Sequence, residues 1–268
     1  MGEPWVPPGR APCLRVSRSA PADAFGRAVE DYERGRPGWP PQAIEDAAAR
    51  LALGRATEVL DLAAGTGKLT RLLVSRFDRV VAVEPDAAMR AKLEQLLPEA
   101  KALEGSAESI PIGDSSVDAV FVAEAFHWFD GKRALAEIAR VLRPRGGLAL
   151  LFNLSDGEVD PPLPKEARAA VQARLALGGE PGGPKVRSGR WREPFAASSF
   201  EPLQEETYAN ELVSDRAGLI SHTLSISSIA SLSEEERETL ADELQRLLPE
   251  ATYRDPFRTH VYWTRLVE

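Results

Sequence analysis

The sequence is poor in the residues that build disulfide frameworks and metal sites. Its 268 residues include one cysteine, Cys13, which excludes an internal disulfide framework and fits a reducing compartment. The three histidines, His127, His222 and His260, are far apart in the sequence and show no metal-ligand spacing. We therefore expect no metal ion, no disulfide and a cytoplasmic location.

The chain also lacks long apolar runs and an excess of positive charge. No stretch approaches the roughly 20 uninterrupted apolar residues of a membrane helix, and the first twenty residues lack the apolar core of a signal peptide. Lys and Arg number 33 against 41 Asp and Glu, so the net charge of −8 repels nucleic acid and anionic lipid. We expect a soluble monomer or homodimer with a small-molecule partner, and a flexible leader over residues 1–21.

What the sequence does contain is a regular alternation of strand and helix patterns. Strands are predicted at 57–62, 79–83, 117–123 and 147–152, with a weaker one near 101–104, and helices at 68–76, 86–97 and 131–142. Several strands are continuous aliphatic runs, which are typical of parallel strands covered on both faces. The pattern predicts an α/β fold with a doubly wound, mostly parallel sheet.

The flanking regions have a different pattern. A short helix over 23–35 and a second one ending near residue 53 precede the first strand, and alternation over 257–266 is typical of an antiparallel or edge strand. We expect a core with an N-terminal helical cap over 22–154, then a lid with the remaining sheet elements on the substrate side over 155–256. The final strand of the core sheet is expected over 257–268.

The loop after the first strand, in VLDLAAGTGKLTRLL (59–73), resembles two phosphate-binding loops but matches neither. A Walker A loop aligned on Gly67 and Lys68 would have Leu62 at its first glycine and Leu69 at its metal-binding hydroxyl. A dinucleotide fingerprint would need a third glycine at Lys68 or Thr70. The loop is therefore not typical of a nucleotide phosphate site.

Two acidic residues and a set of small residues remain at the ends of the first two strands. Asp61 ends the first strand, Glu84 ends the second, and the loop between strand and helix contains Ala63, Ala64, Gly65 and Gly67. Close backbone approach, a helix N-terminus for a carboxylate and an acidic ribose ligand suit a nucleoside without phosphates. S-adenosylmethionine (SAM) is such a ligand, because it has a carboxylate and a ribose but no phosphate. The alternative is a turn whose glycines serve only tight packing.

Six motifs together resemble the class I SAM-dependent methyltransferases of the type 11 small-molecule kind. They are DLAAGTG (61–67), VEP (83–85), GSAESIP (105–111), SVDAV (116–120), AFHWFD (125–130) and LRPRGG (142–147). The segment DYERGRPGWP (31–40) is similar to a subgroup that includes trans-aconitate methyltransferase-like proteins. The resemblance, dense over 24–153, implies a seven-stranded Rossmann-like sheet with an antiparallel last strand, a helical lid, and SAM as cofactor with S-adenosylhomocysteine as product.

The resemblance also implies which residues bind the cofactor. The loop from Ala63 to Gly67 would surround the methionine end of SAM, with Glu124 beside it, and Glu84 would bind the ribose. Ala63 replaces a more usual glycine, and Ser106 stands where Asp or Asn is commoner, near the adenine's polar edge. The full set of candidate cofactor ligands is Tyr32, Arg36, Asp61, Ala63, Gly65, Gly67, Glu84, Pro85, Met89, Ser106, Ala107, Glu108 and Glu124.

The candidate catalytic residue is His127, which directly follows the carboxyl end of the fourth strand, where open α/β sheets bind ligands. It is either a general base for a hydroxyl or amine acceptor or a side chain that only caps and packs at the strand–helix junction. Arg36 either pairs with a carboxylate on SAM or substrate or lies in solvent. Candidate substrate ligands are Trp39, His127, Trp128 and Ser225.

The sequence thus predicts a SAM-dependent methyltransferase of a small molecule, with O-methylation favoured over N- or C-methylation. An acidic metabolite or an aromatic natural product is the expected substrate class. One alternative is a non-catalytic SAM-binding regulatory module, whose acceptor cavity would be filled by side chains. A second is an NAD-dependent oxidoreductase, which the absent third glycine disfavours.

Overall fold

The computed structural model of the protein describes residues 22–155, 163–177 and 182–267. The predicted leader, residues 1–21, lies outside these residues. The strands are β1 (Glu58–Leu62), β2 (Arg79–Val83), β3 (Lys101–Leu103), β4 (Val117–Ala123), β5 (Leu142–Ser155), β6 (Gln204–Ser214) and β7 (Tyr253–Arg265).

The α-helices cover the sheet and extend over its carboxyl edge. They are α1 (Ala22–Gly35), α2 (Pro41–Arg50), α3 (Lys68–Arg76), α4 (Ala87–Leu96), α5 (Gly131–Val141), α6 (Lys165–Leu175), α7 (Gly182–Arg187), α8 (Arg216–Leu224), α9 (Ser227–Ala230) and α10 (Glu234–Leu247). Two 3-10 helices lie at Phe126–Trp128 and Arg190–Ala197. None of the helices in the described part of the chain is both long and apolar enough to cross a membrane.

The strands form one seven-stranded sheet in the described residues, in the order β3-β2-β1-β4-β5-β7-β6. The first five strands pair in parallel, and β7 pairs antiparallel with both β5 and β6. This confirms the predicted doubly wound sheet and its antiparallel last strand. That strand begins at Tyr253, four residues earlier than the alternation predicted.

Alternate residues of the central strands face two separate apolar layers, because side chains point to opposite faces of a strand. On one face Leu60, Val122 and Leu150 pack with α5. On the other, Phe121 and Leu151 pack with α2 and α3. Both faces are therefore buried, and the polar groups of a site can lie only at the strand ends.

A third apolar cluster lies among the helices of the segment that was predicted to form a lid. It joins α6, α8 and α10 through buried side chains, among them Val171, Leu219 and Leu244. The helix α1 crosses α8 so closely that a Cβ on Gly35 would lie 2.2 Å from the backbone nitrogen of His222. Only glycine fits that crossing, which places the end of α1 over the first loops of the sheet.

Candidate functional site

The loop between β1 and α3 turns sharply through left-handed backbone. Ala63, Gly65 and Gly67 have φ values of +59°, +58° and +87°, and Gly67 is the N-cap of α3. Glycine adopts such values freely, whereas an L-residue such as alanine is strained by roughly 1–2 kcal/mol. The loop thus exposes backbone to a ligand, and Ala63 keeps a strained conformation there.

Asp61 lies at the floor of this loop with no exposed surface. Its Oδ2 accepts a hydrogen bond of 2.6 Å from the Thr70 hydroxyl, while its Oδ1 is buried without a partner among the described residues. Burial raises the pKa of Asp61 to about 7, against the opposing effect of the Thr70 bond. A buried acceptor without a donor is costly, so Oδ1 is suited to a cationic or N–H ligand.

Glu84 connects the end of β2 to the glycine loop. Its Oε2 accepts a hydrogen bond from the Gly65 backbone N–H and its Oε1 accepts one from the Asp86 backbone N–H, both at 2.8 Å. The side chain is 6% exposed, and burial raises its pKa. Each carboxylate oxygen has a second lone pair, so Glu84 can still accept hydroxyl groups while it holds the loop.

The helix α1 covers the loop through its last two turns. Tyr32 lies 3.8 Å from the position of a Cβ on Gly65, and the Glu33 carboxylate accepts hydrogen bonds from Thr66 (2.6 Å) and Arg71 (3.1 Å). The cavity left beneath α1, lined by Tyr32, Arg36, Asp61, Ala63, Lys68 and Glu124 among others, has a volume of about 40 Å³. The space enclosed between α1 and the loop is therefore narrow.

Glu124 follows β4 as Ala63 follows β1, and it too has a left-handed backbone, with φ at +54°. Its Oε1 accepts a 2.5 Å hydrogen bond from the backbone N–H of Asn153. Burial raises the pKa of Glu124 to about 7, and the opposing influences are the Asn153 bond and the charge of Arg36. Strain at the ends of two adjacent strands is typical of a binding site.

A larger cavity of about 420 Å³, here called the acceptor cavity, lies on the other side of Arg36 and Glu124. Further residues in its lining are Tyr32, His127, Trp128, Ser225 and Ile226. The Arg36 guanidinium donates a 2.6 Å hydrogen bond to the Ser225 carbonyl and lies 5.6 Å from the centre of the Tyr32 ring. Arg36 thus joins the end of α1 to the end of α8 and brings a positive charge to both cavities.

His127 is the most unusual side chain of the acceptor cavity. Both ring nitrogens are buried without a hydrogen-bond partner within the described ranges. Burial, together with the charges of Lys185 and Arg36, lowers the pKa of His127 to about 4. The ring is therefore neutral near pH 7, and one of its nitrogens is an acceptor that has no hydrogen-bond donor in the part of the chain that the structure describes.

The structure brings most of the predicted site residues together but leaves one group apart. Tyr32, Arg36, Trp39, Asp61, Ala63, Glu124, His127, Trp128 and Ser225 line the two cavities, and Gly65, Gly67 and Glu84 form the loop beneath α1. The remaining candidate cofactor ligands lie outside both: Pro85, Met89, Ser106, Ala107 and Glu108. Ala107 is buried in the core, and Glu108 accepts a hydrogen bond from the Asp130 backbone.

Three polar side chains of the cavity beneath α1 were not predicted from the sequence. Lys68, Asn153 and His222 line the cavity beneath α1. Asn153 ends the aliphatic run of β5, so the rule that ligands bind at the carboxyl ends of parallel strands could have identified it. Nothing in the sequence near His222 predicts that its Nδ1 donates a 2.8 Å hydrogen bond to the Gly35 carbonyl.

The donor set fits SAM in its chemistry. The buried Asp61 oxygen suits an ammonium, the left-handed loop offers backbone at close range, and Glu84 can accept ribose hydroxyls. Residues that hold a pyrophosphate would not include two buried carboxylates. Among the described residues we find no cluster of metal-ligating side chains.

Comparisons with known proteins agree with this chemistry. The type 11 methyltransferase domain family matches residues 60–150. An uncharacterized methyltransferase of Schizosaccharomyces pombe is 33% identical over 225 residues, which cover 84% of this chain and 86% of the yeast protein. A trans-aconitate 2-methyltransferase of an Azoarcus species is 31% identical over 182 residues, covering 67% of this chain and 71% of that protein.

Similarity to one bacterial relative is higher but shorter, and one solved structure has the same fold. An uncharacterized methyltransferase of Mycobacterium tuberculosis is 53% identical over 143 residues, covering 53% of this chain, so this chain spans 57% of that relative's length. A structure from Anaeromyxobacter dehalogenans, described as a candidate type II methyltransferase, superposes with a TM-score of 0.63 at 23% identity, over 87% of this chain and 98% of that one. The chain therefore belongs to the methyltransferase domain family, has the class I methyltransferase fold, and shares the cofactor of that family, SAM.

Proposed function

We propose that the protein methylates a small molecule bound in the acceptor cavity, with a hydroxyl oxygen as the preferred acceptor atom. The observation that carries this proposal is the neutral, unpartnered imidazole of His127, which among the described residues has no hydrogen-bond partner, in a cavity of about 420 Å³. When bound, SAM supplies a methyl group activated by its sulfonium. The protein then has to align the acceptor and exclude water, which positioning alone can achieve.

The role proposed for His127 is to orient the acceptor hydroxyl and to take its proton. A neutral imidazole accepts a hydrogen bond from an O–H group, and the partly buried cavity strengthens that bond. Because burial and the charges of Lys185 and Arg36 lower the pKa of His127 to about 4, the ring is a weak base in the free protein. Proton transfer from the acceptor hydroxyl to His127 is therefore favoured only while the new oxygen–methyl bond forms, because that bond draws electron density from the oxygen and makes the hydroxyl more acidic.

The charge of Arg36 supports an acidic acceptor. Its guanidinium lines both cavities, and its Nε is buried without a partner in the described part of the chain. A carboxylate within reach would satisfy that group and gain a charge-assisted hydrogen bond. The Azoarcus relative is named for trans-aconitate, an acidic metabolite, and we propose that this chain belongs to the same subgroup with a related acidic acceptor.

The test combines binding and turnover. Calorimetry of the full chain with SAM and S-adenosylhomocysteine should give saturable binding, and a panel of hydroxy acids and phenols should identify acceptors by release of S-adenosylhomocysteine. The variant His127→Ala should then lose about 10²–10⁴-fold in kcat with little change in SAM affinity. The control His260→Ala removes a histidine hydrogen-bonded to Glu205 on β6. If His127→Ala lowers kcat by less than fivefold, His127 is not the general base and only positions the acceptor.

Two alternative functions were left open by the sequence, a non-catalytic SAM-binding module and an NAD-dependent oxidoreductase. A non-catalytic SAM-binding module would have its acceptor cavity filled by side chains, and the open volume beside Glu124 and His127 argues against it. Binding of SAM without turnover of any acceptor in the panel would support that alternative. The NAD-dependent oxidoreductase is excluded by membership of the methyltransferase family.

A further inference from the structure

His127 also lines a second cavity, which the proposed function leaves unexplained. This outer chamber has a volume of about 580 Å³ and is lined by Phe126, His127, Phe129, Lys185, Arg190 and Trp191 together with smaller side chains. It lies between the 3-10 helix at Phe126–Trp128, the start of α5 and the segment that follows α7. None of the described residues that line it is a carboxylate.

The inner wall of the outer chamber is apolar and tightly packed. Phe126 is 1% exposed and Trp191 7% exposed, and their rings meet edge to face at 6.1 Å. The Trp191 indole donates a 3.1 Å hydrogen bond to the Val186 carbonyl, and the Ser188 hydroxyl donates one of 2.7 Å to the Lys185 carbonyl. These bonds fix the orientation of the Trp191 indole and the turn that follows Lys185.

Two basic residues are among those that line the outer chamber. Lys185 and Arg190 both line it, in a protein whose net charge is −8. The Lys185 ammonium lies 3.9 Å from the centre of the Trp128 ring, and its charge helps to lower the pKa of His127. Two cations above an apolar wall are suited to a ligand with an apolar body and an anionic end.

The outer chamber and the acceptor cavity lie next to each other and share His127 as a lining residue. His127 lines both cavities, Trp128 lines the acceptor cavity, and Lys185, which packs on Trp128, lines the outer chamber. The His127 and Trp128 rings are 4.9 Å apart, and Trp128 is 48% exposed. An extended molecule that lies across the exposed face of Trp128 would contact both cavities.

We propose that the outer chamber binds the distal anionic group of the methyl acceptor, a carboxylate or a phosphate separated from the methylated atom by an apolar segment. This inference rests on the proposed function, because it assigns the acceptor a second end. Arg36 contacts the methylated end, whereas Lys185 and Arg190 contact the distal anion and Trp191 and Phe126 contact the apolar segment.

Binding of defined probes tests the inference without any turnover. The probes are 4-phenylbutanoate and phenyl phosphate, with neutral 4-phenylbutanamide as the reference, titrated into the full chain saturated with S-adenosylhomocysteine. The variant Lys185→Gln/Arg190→Gln should weaken binding of both anions by about tenfold or more and change the amide by less than twofold. Arg79→Gln/Lys101→Gln, which removes the same charge from the exposed amino ends of β2 and β3, is the matched control.

The outcomes separate the two proposals. An anion preference that the control variant retains and the Lys185/Arg190 variant loses supports the outer chamber as an anion subsite. Anions that bind no better than the amide, or that bind equally to both variants, overturn it even when SAM binds and acceptors are methylated. Failure of SAM to bind would overturn the proposed function instead. Circular dichroism of each variant, with single Arg190→Gln as a milder change, distinguishes lost binding from lost folding.

Discussion

At the scale of single residues, the strain at Ala63 makes a direct prediction about stability. Its φ of +59° is unfavourable for alanine and free for glycine. We expect Ala63→Gly to raise the free energy of unfolding by up to about 1 kcal/mol, since relief of strain exceeds the added entropy of the unfolded chain. Chemical denaturation measures the change.

The neighbouring alanine supplies the control for that substitution. Ala64 is in the same loop but is not among the residues with a positive φ. Ala64→Gly should therefore lower the free energy of unfolding by at least about 0.5–1 kcal/mol, because it adds freedom to the unfolded chain and removes a methyl group packed against the cluster around Leu93. Equal effects of the two substitutions would show that the left-handed backbone at Ala63 is not strained.

The two buried carboxyl groups predict how SAM binding depends on pH. Burial raises the pKa of Asp61 and of Glu124 to about 7, above their values in an unfolded chain, so both are partly protonated near neutrality. A cationic ligand favours the ionised forms, so its binding releases protons. We expect SAM affinity to fall as the pH drops from 8 to 6.

Calorimetry in two buffers of different ionisation enthalpy measures this proton release directly. At pH 7 the apparent binding enthalpy should differ between buffers, and Asp61→Asn should reduce that difference. Glu137→Gln is the control, because Arg140 holds the pKa of Glu137 at about 2 and the residue lies outside both cavities near α1. Affinity independent of pH between 6 and 8 would contradict a role for Asp61 and Glu124 near the positive charges of SAM.

At the scale of elements, α1 covers the loop between β1 and α3, and Glu33 is its main attachment to that loop. The Glu33 carboxylate is 18% exposed and contacts Thr66, Lys68 and Arg71. Partly buried charge-assisted hydrogen bonds of this kind contribute about 1–2 kcal/mol. We expect Glu33→Gln to speed hydrogen exchange in α1 by about 5–30-fold and to speed SAM association and release.

The adjacent turn of α1 offers a control with the same chemical change. Glu30 forms an ion pair with Lys92 on α4, but its side chain is 65% exposed, and such surface pairs contribute about 0–1 kcal/mol. Glu30→Gln should leave hydrogen exchange and SAM kinetics nearly unchanged. If both variants exchange alike, the Glu33 contacts do not hold α1 over the loop.

The elements also show where sequence patterns suffice. The predicted bounds of β2, α3 and β4 equal those observed, because each is a continuous aliphatic run or a clear helical period between turn residues. The pattern missed the start of β5 at Leu142, where a register shift lets β4 pair with the LRPRGG segment. It also missed the 3-10 helix at Arg190–Ala197, whose Pro194 is typical of loops.

At the scale of the whole molecule, the sheet order makes the last strand essential. β7 lies between β5 and β6, and β6 pairs with no other strand in the described ranges. A chain that ends at Thr252, directly before β7, should therefore lose β6 from the sheet and expose the edge of β5. We expect it to lack cooperative unfolding, as measured by circular dichroism during thermal denaturation.

A chain that ends at Leu266 is the control, because it keeps all of β7. It should unfold cooperatively, and S-adenosylhomocysteine at about 100 times its dissociation constant should stabilise it by about 2.7 kcal/mol. Cooperative unfolding and ligand stabilisation in the chain ending at Thr252 would show that the first five strands fold without the lid and the last strands.

The sequence by itself determined the parallel core, the antiparallel last strand, the glycine loop and the acidic strand ends. Each of these depends on local periodicity or on the rule that parallel strands bring their carboxyl ends to one edge. That rule is why Asp61 and His127, far apart in the chain, were predicted to share one site, to which the family resemblance added Glu124. The structure places all three at the two adjoining cavities.

Only the tertiary structure decided how that edge is covered and how its groups are charged. The closure of α1 over the loop, the entry of Asn153 and His222 into the cavity and the outer chamber beside Lys185 come from packing between distant segments. The same packing sets the pKa of His127 at about 4 and those of Asp61 and Glu124 at about 7. Burial and neighbouring charges cause these shifts. Both depend on which distant segments pack together, and no periodic pattern in the sequence specifies that.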